Sequence, residues 1–192
     1  MTPWNEAARY QGTTETSLSE KGKMQAEENS NIVQSLIVDE TLSHGPLRIV
    51  SSPLKRTRQT ADIIRDRLNL EPERVIIDDR LRELSVGRWE GLNSQEVKDQ
   101  FYEERKARKA DRWNFKPLGG ESLQDRSFPV SECLVELKPH SIVVTHAGVL
   151  RIIEHILGGQ SYQAAAASDI PHLGATLWDG DKSHTLVVTP PL

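Results

Sequence analysis

The sequence predicts an α/β protein, a three-layer α/β/α sandwich with a mainly parallel sheet and helices on both faces. Three short apolar segments rich in β-branched residues, 47–52, 74–78 and 141–146, alternate with longer segments of helical periodicity. Such alternation is typical of parallel sheets, because each helical crossover returns the chain to the same end of the sheet. Two further apolar segments flank Asp179-Gly180-Asp181 and predict a terminal β-hairpin.

Composition indicates a single globular domain over residues 1–192, with 36% hydrophobic and 27% charged residues. The net charge of −4 argues against nucleic acid and against an anionic membrane surface as partners. The chain shows no signal peptide and no apolar run long enough to span a membrane. Its single cysteine, Cys133, cannot form an internal disulfide, so we expect a cytoplasmic protein.

The first half of the chain contains two predicted helices around the first strand. One spans residues 17–38, and the other starts at Ser52-Pro53, with Ser52 as N-cap and Pro53 at the first helical position. Between them, His44-Gly45-Pro46 predicts a turn. The expected buried side of the second helix consists of Leu54, Ala61, Ile63, Ile64 and Leu68.

The second half begins with a highly charged helix predicted over residues 94–112. Its RKARK cluster has acidic neighbours, which favours a solvated helix face over a nucleic-acid site. This helix and Trp113 form either a cap over a pocket or an exposed helix end with one packed aromatic. Residues 117–122 predict a loop, and Cys133 is expected to be a buried small side chain.

Two strand–helix junctions carry the candidate chemistry. Arg56 lies in the first turn after the first strand, and His146-Ala147-Gly148 joins the third strand to its helix. An open α/β sheet brings such junctions together at the carboxyl ends of its strands, where helix N-termini favour anions. A surface ion pair could explain Arg56 alone, and a satisfied strand-end histidine could explain His146 alone. Together they predict a phosphate site.

Glu83 supplies a third candidate group, in the polar loop that follows the strand at 74–78. A carboxyl group beside a bound phosphate has a raised pKa, which suits it to protonate a leaving oxygen. The alternative is a loop carboxylate paired with a neighbouring arginine, namely Arg80, Arg82 or Arg88.

Five segments, read in order, resemble one family. SSPLKRTRQTA, RELSVGRWEG, GGES and VVTHAGVLR are similar to motifs of the histidine phosphatase superfamily, the phosphoglycerate mutase-like enzymes. The opening TPWNEAARYQG resembles the family's T-x-W-N-x-x-x-R-x-Q-G. Each motif alone is weak, but five in the correct order and spacing are a strong signal, and the resemblance extends from about residue 2 to residue 178.

The resemblance implies a phosphomonoesterase that works through a phosphohistidine, without metal or other cofactor, on a small phosphorylated metabolite. It also allows a homodimer. By resemblance, Glu83 is the general acid/base and His146 a second, phosphate-binding catalytic histidine. The phosphate-binding residues are then Arg56, His146, Asn5 and Ala147, and the substrate-binding residues are Gln11, Gly12, Glu121 and His172.

The family's nucleophile is expected upstream of these motifs. There, a hydrophobic strand and Arg-His-Gly-Glu precede T-x-W-N, whereas here Met1 stands in place of the last residue of that motif. His44 precedes a strand, His155 lies within a helix and His184 lies in the hairpin, so none matches the nucleophile's setting.

We therefore expect two facing strand edges, with each buried unpaired backbone group costing about 1–3 kcal/mol, and little or no turnover. A start codon assigned too late or a shortened chain would explain this, as would a naturally remodelled, inactive member. The alternative functions are a non-catalytic phospholigand- or partner-binding protein and a phosphoglycerate mutase.

Overall fold

The computed structural model describes residues 1–38, 47–178 and 183–186. The helices are α1 (Pro3–Glu6), α2 (Glu20–Val38), α3 (Lys55–Arg67), α4 (Ser94–Gln100), α5 (Tyr102–Ala110), α6 (Leu123–Glu136), α7 (Ala147–Ile156) and α8 (Tyr162–Ala167). The strands are β1 (Arg48–Ser51), β2 (Val75–Ile77), β3 (Ser141–Val144), β4 (Ala175–Trp178) and β5 (Ser183–Leu186). Short 3-10 turns occupy Pro72–Arg74, Asp79–Leu81 and Gly87–Trp89.

Three strands form a parallel sheet in the order β2-β1-β3. Ile49 of β1 pairs with Val75 of β2 on one side and with Ile142 of β3 on the other. Strands β4 and β5 form a separate antiparallel pair, which confirms the terminal hairpin. The turn predicted at its tip, 179–181, and the turn predicted at 44–46 lie outside the described residues.

Helices cover both faces of the parallel sheet. Successive residues of a strand point to opposite faces, so Ile49 packs toward α2 and α3 while Val50 packs toward α6 and α7. The core on the first face contains Val33, Ile49, Ala61, Ile64 and Val144. The core on the second includes Val50, Leu81, Val130, Val149, Ile152 and Ile153. This arrangement confirms the predicted three-layer sandwich.

Two helix predictions need correction. The helix predicted over 17–38 begins only at Glu20. The helix predicted over 94–112 is two helices, because the backbone of Phe101 (φ −136°, ψ 48°) leaves the helical region and ends α4. Neither glycine nor proline marks this break. The second piece, α5, reaches only Ala110.

The start of α3 also differs from the prediction. Its first residue is Lys55 and its N-cap is Leu54, which provides no side-chain cap. Ser52 is therefore not the N-cap, and Pro53 lies outside the helix. The Ser52 hydroxyl lies 2.7 Å from Nε2 of His146 instead, so it belongs to the candidate site.

Trp113 and Cys133 are both buried in the second core. The indole Nε1 of Trp113 donates to Oε1 of Gln124 at 2.7 Å. Of the two alternatives for this region, a cap over a pocket or a helix end with one packed aromatic, the burial of Trp113 agrees with the second. No helix in the described part of the chain is both long and apolar enough to traverse a bilayer.

Candidate active site

One cavity of about 1110 Å³ lies against the sheet and reaches the carboxyl ends of β1 and β3. It brings together every site residue that the sequence pointed to. Those lining residues are Asn5, Gln11, Gly12, Arg56, Glu83, Glu121, His146, Ala147 and His172. We call the part around Arg56, Glu83 and His146 the polar end of the cavity.

Arg56 is the second residue of α3 and is buried. Its Nη1 donates to the carbonyl oxygen of Thr14 at 3.0 Å, and its Nη2 donates to that of Gly12 at 2.9 Å. Burial lowers the pKa of Arg56, and Glu83 opposes that shift. Because arginine stays protonated in proteins, these contacts fix a cation in orientation rather than neutralise it. A surface ion pair does not describe this side chain.

Glu90 holds the loop that orients Arg56. Its carboxylate accepts the Thr14 hydroxyl at 2.6 Å and both the backbone N–H and the hydroxyl of Thr13 at 3.2 Å. Gly12 has φ +53°, and a Cβ there would collide with the Glu90 carboxylate. The sequence shows Glu90 within RELSVGRWEG but does not indicate this positioning role.

His146 is the N-cap residue of α7 and is buried. Burial, together with the charge of Arg56, lowers its pKa well below the ordinary value for histidine. The imidazole is therefore neutral in the protein without ligand, and its Nε2 contacts the Ser52 hydroxyl at 2.7 Å. A bound anion would favour the protonated ring and draw a proton onto it.

Glu83 faces the first residues of α7. Its carboxylate accepts the backbone N–H of Leu84 at 3.0 Å and that of Gly148 at 3.2 Å. Burial raises the pKa of Glu83, although these two N–H groups and Arg56 act in the opposite direction. A carboxyl group that retains a proton more readily than usual suits a general acid.

The alternative reading of Glu83, a pairing with a neighbouring arginine, does not hold. Its sequence neighbours Arg80, Arg82 and Arg88 have other acidic partners. The pairs are Arg80 with Asp78 and Glu136, Arg82 with Asp79, and Arg88 with Glu104.

Gly148 leaves space for Glu83. A Cβ at this position would overlap the Glu83 carboxylate and would lie 2.6 Å from Cδ1 of Leu84. Only a residue without a side chain lets the N–H of α7 approach that carboxylate. The sequence showed the glycine at the junction but gave no sign of this contact.

Asn5 and Gln11 belong to an N-terminal segment organised by Thr2. Thr2 and Asn5 form a capping box on α1, with the Thr2 N–H donating to Oδ1 of Asn5 at 2.9 Å. Oε1 of Gln11 accepts the hydroxyls of Thr2 at 2.9 Å and Thr16 at 2.7 Å. Because protein groups occupy both carbonyl oxygens, the amide NH₂ groups are the ones that can serve a ligand.

Glu121 and His172 take different positions. Oε2 of Glu121 accepts the N–H of Ser85 at 3.0 Å, and its Oε1 pairs with Arg126 at 2.6 Å. Its carboxylate thus fastens the GGES loop to the segment that follows Glu83. His172 is exposed on the cavity wall, and its backbone oxygen accepts Nδ2 of Asn29 at 3.4 Å.

The cavity continues between β3 and β4, and we call this part the groove. It is lined by residues 141–144 of β3, residues 175–177 of β4 and apolar side chains from both cores. The backbone oxygens of His140 and Val144 accept N–H groups from the β1 side, so the backbone N–H and C=O groups of the alternate residue Val143 point toward the groove. Among the described residues, β3 pairs only with β1 and β4 only with β5.

Met1 also lines the cavity. Its amino group donates to Oε1 of Gln25 at 3.1 Å, and its carbonyl oxygen accepts the N–H of Ser19 at 3.2 Å. Both partners belong to α2 or to the turn before it. The residue that precedes Thr2 is thereby held beside the groove.

Three histidines of the described segments line the cavity: His140, His146 and His172. His155 lies within α7, where its Nδ1 contacts the carbonyl oxygen of Gln160 at 2.6 Å. Within the described part of the chain, no three His, Cys, Asp or Glu side chains are grouped so that they could hold a metal ion.

Residues 1–189 match the family described as histidine phosphatase superfamily (branch 1). The chain belongs to this superfamily. Among curated histidine phosphatase relatives, it is 35% identical over 159 residues to phosphoserine phosphatase 1 of Hydrogenobacter thermophilus, covering 77% of this chain and 67% of that protein. It is 31% identical to the probable phosphoglycerate mutase GpmB of Erwinia tasmaniensis, covering 82% of this chain and 71% of that protein.

Solved histidine phosphatase structures share this fold. The native structure of mycobacterial glucosyl-3-phosphoglycerate phosphatase superposes with a TM-score of 0.77 at 26% identity. The match covers 97% of this chain and 93% of that one. The parallel sheet with flanking helices described above is thus the histidine phosphatase fold.

Proposed function

We propose that this protein is a phosphomonoester hydrolase acting on a small phosphorylated metabolite through a phosphohistidine, as one domain over residues 1–192. The observation that carries the proposal is the polar end of the cavity. There a fixed guanidinium, a neutral imidazole and a carboxyl of raised pKa, those of Arg56, His146 and Glu83, line one cavity. No metal or other cofactor is required for these roles.

The groups that we propose to bind phosphate are already held in place by contacts within the protein. Arg56 supplies a permanent positive charge, and His146 accepts a proton as the anion arrives. The backbone N–H of Ala147 lies at the N-terminus of α7, where the helix dipole favours negative charge, and Asn5 offers its amide NH₂. Gln11, Gly12 and His172 line the remaining wall, and Glu121 positions the GGES loop.

The chemical step follows from the position of Glu83. A histidine nitrogen forms a bond to phosphorus while the bond from phosphorus to the leaving oxygen breaks, and Glu83 gives its proton to that oxygen. The Glu83 carboxylate then takes a proton from water, whose oxygen bonds to phosphorus while the bond from phosphorus to the histidine nitrogen breaks. This step releases inorganic phosphate and regenerates the histidine. Arg56 and His146 stabilise the charge on the non-bridging oxygens in both steps.

By resemblance to the superfamily, the position of the nucleophilic histidine is on the N-terminal side of Thr2. None of the three described histidines lining the cavity occupies the setting that the superfamily's Arg-His-Gly-Glu motif has. Met1 is held beside the groove, so a strand ending at this position would run along the open edge of β3. We infer that the 192-residue chain by itself turns over little or no phosphomonoester.

The test is a matched pair of proteins assayed with p-nitrophenyl phosphate from acid to neutral pH. One is the 192-residue chain. The other carries in place of Met1 an apolar strand of about five residues followed by Arg-His-Gly-Glu. We expect background turnover from the first protein and at least about a thousandfold more from the second, because covalent catalysis then becomes available.

Three controls make the result decisive. The extended protein with Ala in place of the added histidine should return to background, as should its Glu83→Gln and His146→Ala variants. Turnover by the 192-residue chain that His146→Ala abolishes would show that a histidine within this chain has taken over the nucleophile's role, and it would overturn the inference of background turnover. Background activity from a folded extended protein would overturn the hydrolase proposal.

A second candidate function is binding of a phospholigand without turnover. The groups that favour it are fully positioned within residues 1–192, as Arg56 and His146 show. Isothermal titration calorimetry with inorganic phosphate tests this directly. Saturable binding that Arg56→Gln abolishes, together with background activity in the extended protein, would favour this candidate over the hydrolase.

Mutase activity is the third candidate, since one relative bears the name probable phosphoglycerate mutase. If the protein is a mutase, the extended protein would interconvert 2- and 3-phosphoglycerate, whereas a phosphatase would release inorganic phosphate.

We place the protein in the cytoplasm on the evidence of its single buried cysteine, Cys133. Light scattering coupled to size exclusion tests whether it is a homodimer.

A further inference from the structure

Ser52 is fully buried next to His146, where β1 leads into α3. Its backbone N–H donates to the carbonyl oxygen of Val144 in β3 at 3.0 Å. Its own carbonyl oxygen accepts the hydroxyl of Ser51 at 3.0 Å and that of Thr57, in α3, at 3.1 Å. The backbone from which the Ser52 hydroxyl projects is therefore held to both the neighbouring strand and the following helix.

The contacts of the Ser52 hydroxyl determine which nitrogen of His146 carries the ring proton. The hydroxyl oxygen accepts the backbone N–H of Leu54 at 3.4 Å and lies 2.7 Å from Nε2 of His146. Among the contacts of the described residues, Nε2 is the acceptor within reach of the hydroxyl proton. The imidazole is neutral without ligand, and a neutral ring has one nitrogen that accepts and one that donates. Because Nε2 accepts from Ser52, the ring proton is on Nδ1.

Nδ1 of His146 is also the ring nitrogen that a ligand can reach. His146 lines the cavity, and no residue of the described segments forms a hydrogen bond with its Nδ1. In the same part of the chain, the buried side-chain atoms that lack a partner are Nε of Arg48, Nε of Arg126 and Oε2 of Glu154. Since Nδ1 has no protein partner and is not one of these buried atoms, it is open to the cavity.

We propose that Ser52 is a positioning residue that holds His146 in the Nδ1–H tautomer and directs this N–H at the bound phosphate. The inference rests on the proposed function, because that function places His146 in phosphate binding. A neutral ring in this tautomer presents a donor to the incoming anion before the ring takes up a second proton. A serine hydroxyl can also accept a hydrogen bond, so the same contact serves the protonated ring once the anion has bound.

Nuclear magnetic resonance on the 192-residue chain tests the tautomer in the absence of ligand. In ¹⁵N-labelled protein, two-bond correlations between the ring protons and the ring nitrogens distinguish a protonated nitrogen from an unprotonated one. The signals of His146 are those that disappear in the His146→Ala variant. We expect a protonated Nδ1 and an unprotonated Nε2 at neutral pH. A protonated Nε2 with an unprotonated Nδ1 would overturn the proposal.

Three serine variants separate positioning from packing. Ser52→Ala removes the donor to Nε2, so both tautomers should become populated and inorganic phosphate should bind about tenfold more weakly by calorimetry. Ser52→Thr keeps a hydroxyl and should retain the parent tautomer and most of the affinity. Ser51→Ala is the matched control, because it removes an equally buried hydroxyl that does not contact His146, and it should change neither the tautomer nor the affinity.

The outcomes separate the positioning role of Ser52 from the proposed function. If inorganic phosphate binds in an Arg56-dependent manner but Ser52→Ala leaves the His146 signals and the affinity unchanged, Ser52 is not a positioning residue and the proposed function stands. A loss of affinity in Ser52→Ala with the Nδ1–H tautomer retained would make the hydroxyl structural and would also overturn the positioning role. If inorganic phosphate does not bind to the parent chain, both proposals fail.

Discussion

The polar end of the cavity and the groove between β3 and β4 differ in how their polar groups are satisfied. At the polar end, Arg56 is held by two carbonyl oxygens and Glu83 by two N–H groups. In the groove, within the described residues, the outer edges of β3 and β4 pair with no strand. The comparison teaches that loops and helix N-termini satisfy the charged groups of the anion site, whereas the edges of β3 and β4 beside it have no strand partner among the described residues.

Among the predictions that compare these two regions, the largest expected effect is in amide hydrogen exchange along β3. The N–H of Val143 faces the groove, and that of Val144 faces β1. In the 192-residue chain we expect the amide of Val143 to exchange at least about a hundredfold faster than that of Val144. In the extended protein the two rates should converge. Equal protection in both proteins would show that the edge of β3 is already covered.

Arg56→Gln tests the completeness of the polar end. We expect about a 10- to 100-fold loss of inorganic phosphate affinity by calorimetry, because the only permanent charge oriented by Gly12 and Thr14 is removed. Arg58→Gln removes a charge from an exposed position of α3 and should have little effect. Equal losses in both variants would mean that charge alone, without orientation, governs binding.

Gly148→Ala tests how closely α7 approaches Glu83. The added Cβ overlaps the carboxylate, so denaturant unfolding should show a loss of about 1–3 kcal/mol. A double-mutant cycle with Glu83→Ala should be less than additive, since removal of the carboxylate relieves part of the overlap. Strict additivity would show that the two residues do not interact.

The smallest effect is a pH dependence that Glu83 gives to stability. Its pKa is raised in the folded protein, so between the ordinary value and the raised one the native state binds more protons than the unfolded state. The parent should therefore lose stability relative to Glu83→Gln as pH rises through that range, which thermal unfolding at several pH values measures. A difference in Tm that is constant with pH would contradict this assignment.

His146 gives a dependence of opposite sign. Its lowered pKa means that the unfolded state binds more protons below the ordinary value. Relative to His146→Gln, the parent should lose stability as pH falls from about 6.5 toward the lowered pKa. Glu83 thus lowers stability as pH rises, and His146 lowers it as pH falls. Slopes of stability against pH with the opposite signs would contradict both assignments.

The sequence predicted the parts of this architecture that depend on local patterns. Short β-branched segments and the residues after them placed Arg56 and His146 at the same end of the sheet, and the structure puts both in one cavity. Their supports could not be predicted, because the carbonyl oxygen of Gly12 is 44 residues from Arg56 in sequence. The collision that excludes a side chain at Gly148 is likewise visible only in three dimensions.

Two errors share a physical cause. Phe101 interrupts a segment of strong helical propensity, and no glycine or proline marks the interruption. Ser52 has the features of an N-cap but contacts His146 instead. Both positions make tertiary contacts, Ser52 with His146 and Phe101 with the Arg88 guanidinium, which lies 4.1 Å from the ring centre.

The edge of β3 that pairs with no strand among the described residues also bears on self-association. A strand edge with free N–H and C=O groups can pair with a second molecule, and such pairing is a route to aggregation. Without a covering strand, the same backbone groups of β3 are available for contacts between chains, so aggregation should increase with protein concentration. The extended protein, in which that edge is paired, should remain monodisperse at concentrations where the 192-residue chain does not.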